Sequence, residues 1–128
     1  MKKLFLLSML FFSFSLFSQN FEKITTKKCI PKKGMYLKLK SVFNDSRCPQ
    51  GVECIWAGEV SAIVEIYKDK KLVEEKTLTF NSKNREENNK WFENYFPKKI
   101  KMVSVMPIRK DGEQVNLKKY FINVVFSD

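Results

Sequence analysis

From residue 35 onward, apolar and polar side chains alternate in long stretches. MYLKLKSVF sets Met35, Leu37, Leu39, Ser41 and Phe43 against Tyr36, Lys38, Lys40 and Val42, a period of two that puts each set on one face of a strand. EVSAIVEIYK repeats the pattern, with Val60, Ala62, Val64 and Ile66 opposed to Glu59, Ser61, Ile63, Glu65 and Tyr67. The polar residues 68–71 then read as a turn, and LVEEKTLTF returns as the second arm of a hairpin, with Leu72, Glu74, Lys76, Leu78 and Phe80 opposed to Val73, Glu75, Thr77 and Thr79. Residues 99–108 (KIKMVSVMPI) form another strand, closed by Pro107. Asp111-Gly112 supplies a turn, and KYFINVVF alternates Tyr120, Ile122, Val124 and Phe126 against Phe121, Asn123 and Val125. Strands follow one another through short turns, without the strand-helix alternation that builds parallel sheets, so the pattern predicts a mainly all-β fold, an antiparallel β-sandwich or open barrel.

Three stretches escape this rhythm. Residues 20–34 are basic and weakly patterned, with one short strand expected between Ile24 and Cys29 before Pro31 and Gly34 interrupt the chain. Residues 81–90, NSKNREENNK, lack periodicity and read as an exposed loop. In WFENYF, Trp91, Phe92, Tyr95 and Phe96 have the i, i+1, i+4, i+5 spacing of a short helix near residues 90–96 laid against the open end of a sheet.

The first residues have another character. Lys2 and Lys3 precede an apolar run from Leu4 to Phe17 that ends in polar residues, which is the pattern of a secretory signal peptide. As a helix it spans about 21 Å, short of the roughly 30 Å of a bilayer core. Cleavage is expected near Ser18-Gln19, leaving an exported monomer, periplasmic or secreted, with no transmembrane segment in the mature form. Cys29 does not follow the small and apolar residues that precede a lipid-modified cysteine. The chain thus divides into a leader at 1–18, a basic segment at 19–34 and a single β domain at 35–128.

Residues with special chemistry concentrate in DSRCPQGVECIWAG, positions 45–58. In an exported chain, Cys48 and Cys54 are expected to be oxidised. Pairing them closes a seven-residue loop, worth about 2.4 kcal/mol in the chain-entropy model, against about 3.5 kcal/mol for pairing Cys29 with Cys54. Local encounter and the turn residues nevertheless favour Cys48 with Cys54, leaving Cys29 as a free thiol. Pro49 and Gly51 suit the second and fourth positions of a type I turn begun by Cys48. Asp45 is placed to accept backbone N–H groups, and Arg47 to pair with Asp45 or Glu53. Trp56 lies two residues beyond Cys54, so on a strand it shares that cysteine's face and covers the bridge, while Gly58 permits close backbone approach.

The run DSRCP, followed by Val52, Cys54 and Trp56-Ala57-Gly58, resembles the signature of a family of small exported bacterial proteins of no established function. The resemblance implies a β-strand after the motif, at Val60 to Tyr67, and a closing strand containing tyrosine, at Tyr120 to Phe126. It implies no activity.

Composition narrows the chemistry. The chain has no histidine, which removes histidine-dependent acid–base and nucleophilic catalysis, and no catalytic constellation replaces it. Three cysteines without histidine fall short of a closed zinc site, so neither metal nor cofactor is expected. Glu74-Glu75 and Glu86-Glu87 read as solvated charges. The leading expectation is a non-catalytic binding or inhibitor-like module, its stapled loop presenting Asp45, Arg47, Gln50 and Glu53 to a protein or envelope component. A thiol–disulfide redox protein using Cys48, Cys54 and Cys29 is the first alternative. The second follows from the net charge of +10: Lys27, Lys28, Lys32, Lys33, Lys38, Lys40, Lys98, Lys99 and Lys101 facing anionic lipid or glycan, with no specific nucleic acid.

Overall fold

Strands form wherever the alternation is strong. In the computed structural model, which describes residues 20–27 and 29–127, the order is β1 (Phe21–Ile24), β2 (Met35–Phe43), β3 (Val60–Lys68), β4 (Lys71–Phe80), α1 (Arg85–Glu93), β5 (Ile100–Met106) and β6 (Phe121–Phe126). A single 3-10 turn, Leu117–Lys119, precedes β6. The leader expected at 1–18 lies outside the described residues, as does Lys28. No helix among the described residues is long and apolar enough to cross a membrane.

The strands make two antiparallel three-stranded sheets, ordered β1-β6-β5 and β2-β3-β4. Their inward faces contribute to one apolar cluster: Val60, Ala62, Val64 and Ile66 from β3, Leu37 and Leu39 from β2, Ile122 and Val124 from β6, and Val103 and Val105 from β5. Thr25, just past β1, ties the sheets together by accepting from Leu39 N at 2.9 Å. The all-β expectation therefore holds, with the alternating positions of β3 and β6 facing inward as their period requires.

The hairpin between β3 and β4 is tighter than residues 68–71 suggest. Asp69 and Lys70 form the two-residue connection, both at positive φ (51° and 68°), the geometry that matches strand twist in short hairpins. Asp69 Oδ1 also accepts from Gly34 N at 2.9 Å, and Asp69 N donates to Gly34 O at 3.1 Å. These bonds fix where β2 begins. Gly34 itself has φ +90°, a conformation that glycine adopts without strain.

Four expectations need correction. The N-terminal strand is Phe21–Ile24 rather than 24–29; it pairs with β6 and buries Ile24, so this part of the basic segment belongs to the domain. On β2, alternation breaks at a bulge between Leu39 and Ser41. The extra residue swaps the two faces beyond it, so Val42 packs on the core and Phe43 turns outward. On β4, Leu72 and Val73 are exposed and only Leu78 is fully buried.

The fourth correction is the helix, which occupies residues 85–93 and begins inside the stretch read as a loop. Asn81 Oδ1 accepts from Lys83 N and Asn84 N at 3.0 and 2.9 Å, organising the entry, and Glu86 and Glu87 sit in the first turn, where the helix dipole favours them. The core-facing pair is Asn88 and Phe92, spaced i, i+4. Asn88 is buried yet polar, donating from Nδ2 to Thr79 O at 2.8 Å. An apolar periodicity count cannot register such a position. Trp91 and Phe92 are helical, whereas Tyr95 and Phe96 follow the helix and pack against the core, with Phe96 edge-on to Phe126 at 5.5 Å.

Candidate functional site: the stapled loop

Between β2 and β3 the chain departs from the sheet in residues 44–59 and returns through a narrow neck. Ser46 N donates to Glu59 O at 2.8 Å, Ser46 Oγ donates to the same carbonyl at 3.1 Å, and Glu59 N donates back to Ser46 Oγ at 3.1 Å. Gly58 passes directly over this neck at φ +70°. A Cβ placed there would lie 2.1 Å from Ser46 O and 2.6 Å from Ser46 C, so only glycine closes it.

Beyond the neck, the Cys48–Cys54 disulfide joins Cα atoms 5.8 Å apart, as its spacing predicts. Cys29 is free and exposed. The turn inside the ring lies one residue later than expected: Val52 N donates to Pro49 O at 3.4 Å, and Gly51 takes the third position at φ +80°. A positive φ there is a glycine requirement of its own, different from the fourth-position preference of a type I turn.

Asp45 and Arg47 face the protein instead of solvent. Asp45 Oδ1 accepts from Arg47 N at 3.3 Å and from Arg47 Nε at 2.9 Å, while Oδ2 accepts from Arg47 Nη2 at 3.0 Å and from Tyr120 OH at 2.9 Å. Arg47 donates onward from Nη1 to Val105 O and from Nη2 to Pro107 O. The two side chains are only 15% and 11% exposed. Burial by itself raises the Asp45 pKa, but the bonds from Arg47 and Tyr120 and the Arg47 charge outweigh it and hold the carboxyl below its ordinary value. Tyr120 moves upward, first through burial and then through its bond to Asp45.

Gln50 continues the anchoring. Its N donates to Arg109 O at 3.0 Å and its Nε2 to Ile108 O at 3.2 Å, with a parallel bridge to Lys110. Of the four residues expected to meet a partner, Asp45, Arg47 and Gln50 thus fasten the loop to the segment after β5. Glu53 is exposed, and Arg47 pairs with Asp45 rather than with it.

Trp56 departs furthest from expectation. It lies in a bend before β3, 80% exposed, and does not cover the disulfide; Ile55 beside it is 93% exposed and Val52 38%. The strand geometry that would aim Trp56 at the bridge starts only at Val60. Between these residues and the β4–α1 connection runs an open groove of about 540 Å³, lined by Ile55, Trp56, Glu59, Asn81, Ser82 and Lys83. A second concavity, about 270 Å³, lies behind Gly58 against Arg85 and Met102.

The remaining candidates are dispersed. No group of three or more His, Cys, Asp or Glu side chains placed to hold a metal occurs among the described residues. Of the basic residues, Lys38 and Lys40 pair with Glu65 and Glu75 at 3.9 and 2.8 Å, and Lys98 lies over the Phe126 ring at 5.8 Å. Glu75 is therefore an ion-pair partner on a strand, and Glu86 and Glu87 are helix N-terminal charges. No family model matches the chain, and neither does any curated protein or solved structure.

Proposed function

We propose that this protein is an exported, non-catalytic binding or inhibitor-like module whose stapled loop docks on a protein partner through Ile55 and Trp56. The observation that carries the reading is the coincidence of two large apolar side chains, 93% and 80% exposed, with a backbone held on three sides. The disulfide, the Ser46–Glu59 neck and the Asp45–Arg47–Tyr120 bonds restrain the loop before any partner arrives. Little ordering entropy then remains to be lost on association. Tryptophan on such a support is the residue type that most often dominates binding energy. Export is supported by the disulfide, which persists in oxidising compartments, and by the Lys2-Lys3 and apolar leader pattern.

The test is capture from cell-envelope extract with the immobilised full chain, comparing wild type with the Ile55→Ser/Trp56→Ala double variant. A protein retained by wild type and lost from the variant supports the reading. Equal capture by both removes Ile55 and Trp56 from it. A Cys48→Ser/Cys54→Ser variant that still captures equally well shows that the staple is dispensable for docking.

A further inference from the structure

On the inner side of the same loop lies a concavity that the docking reading does not use. The end of β2, the chain leaving it and the segment between β5 and β6 border an open cavity of about 450 Å³. Val42, Phe43 and Val115 give it apolar wall, and Arg109, Gln114 and Tyr120 also line it. Phe43 reaches this place because the bulge after Leu39 turns it off the core face. Its position is thus a consequence of the register shift.

Arg109 is the group that this arrangement leaves unanswered. Its backbone is fixed, since its carbonyl accepts from Gln50 N at 3.0 Å. Its Nε is buried and has no acceptor, an unfavourable state for a guanidinium N–H. The two carboxylates on the cavity wall do not relieve it. Both oxygens of Asp45 accept from Arg47, and one also from Tyr120, and no ion pair joins Glu113 to Arg109. The Arg109 charge acts on the Tyr120 phenol across the cavity, opposing the upward shift caused by burial and by Asp45.

We infer that this cavity binds a small organic carboxylate with an apolar body, the anionic end pairing with the Arg109 guanidinium and the body lying along Val42, Phe43 and Val115. A planar carboxylate matches the guanidinium fork. The Gln114 amide adds a donor at the wall. Phosphate fits the fork as well, but it brings a second negative charge toward Asp45 and Glu113 and leaves the apolar wall uncovered. The wall is divided about equally between polar and apolar surface, which suits a ligand with one anionic end and one apolar body.

The probe is benzoate, titrated into the isotopically labelled full chain and followed by amide chemical shifts. Saturable shifts are expected at Arg109, Val115 and Tyr120. Affinity falls about tenfold in Arg109→Gln, as for loss of a charged partner, and rises a few-fold in Glu113→Gln, where an opposing charge is removed. Inorganic phosphate at matched ionic strength binds more weakly. Absence of saturable shifts overturns the inference, as does equal benzoate affinity in Arg109→Gln. Phosphate binding as tightly as benzoate overturns the carboxylate assignment. If Arg109→Gln loses its dispersed spectrum, Arg109→Lys and Glu113→Gln carry the test, and unchanged affinity in both overturns it. The Ile55→Ser/Trp56→Ala variant binds benzoate like wild type, so failure of the docking reading is separate from failure of this one.

Discussion

Removing the Tyr120 hydroxyl isolates the bond that joins the loop to the second sheet across 75 residues of sequence. In Tyr120→Phe the ring still fills its buried site, and Asp45 Oδ2 still accepts from Arg47 Nη2. What is lost is one hydrogen bond to an ionised, nearly buried acceptor, so the expected destabilisation is about 1.5–2.5 kcal/mol. Asp45→Asn costs more, about 3 kcal/mol, because it removes the negative charge paired with Arg47, which is 15% exposed, and leaves it only neutral acceptors such as the carbonyls of Val105 and Pro107. Once Asp45 is gone, Tyr120→Phe loses less, and the double-mutant cycle should return a coupling of about 1 kcal/mol. The pH dependence has a definite sign. Folding lowers the Asp45 pKa, so its contribution is complete above the ordinary carboxylate range and disappears as pH falls through the depressed folded value. Urea unfolding followed by tryptophan fluorescence, at neutral pH and stepwise into acid, measures all of this. A Tyr120→Phe change below about 0.5 kcal/mol, or an additive cycle, refutes the claim that these residues clamp the loop. An acid limb equally steep in wild type and Asp45→Asn refutes the electrostatic part.

Other outcomes follow from the same geometry. Gly58→Ala forces a methyl group against Ser46 backbone atoms at 2.1 and 2.6 Å at a positive φ; equilibrium unfolding should show a loss of about 3 kcal/mol, combining left-handed strain with a disrupted neck. Replacing both Cys48 and Cys54 by serine lowers stability by about 2.4 kcal/mol through the freed seven-residue loop, measurable as a shift in urea midpoint with unchanged slope. Phe92→Ala, at a fully buried helix position, costs about 3–5 kcal/mol by the same assay. Trp56→Ala, in contrast, leaves stability within about 0.5 kcal/mol of wild type because its ring is 80% exposed; a loss of several kcal/mol would show the indole to be a structural element.

Legibility varied with how local the cause was. β3 and β6 carry clean alternation and buried the residues it marks. Alternation on β2 is equally clear, yet the bulge at Lys40 reverses the faces halfway, since pairing with β3 is a property of two strands. The first turns of the helix, residues 85–89, were hidden because its inward face is Asn88 and Phe92, and the amide of Asn88 becomes a core group only when Thr79 O is there to receive it. Arg109 gave no signal, being one arginine among many basic residues until the cavity and its buried Nε set it apart.

For this chain, the residue order alone determines an all-β domain and the Cys48–Cys54 staple, because period and loop closure act over short separations. Tertiary structure alone decides which loop residues turn inward. Asp45 and Arg47 have the charges of a recognition surface and Trp56 the bulk of a core residue, yet their roles are reversed. The acceptors at Val105 and Pro107 and the hydroxyl of Tyr120 arrive from the other sheet and hold the charged pair inside. The chain between Cys54 and Val60, not yet in a strand, leaves the indole facing outward.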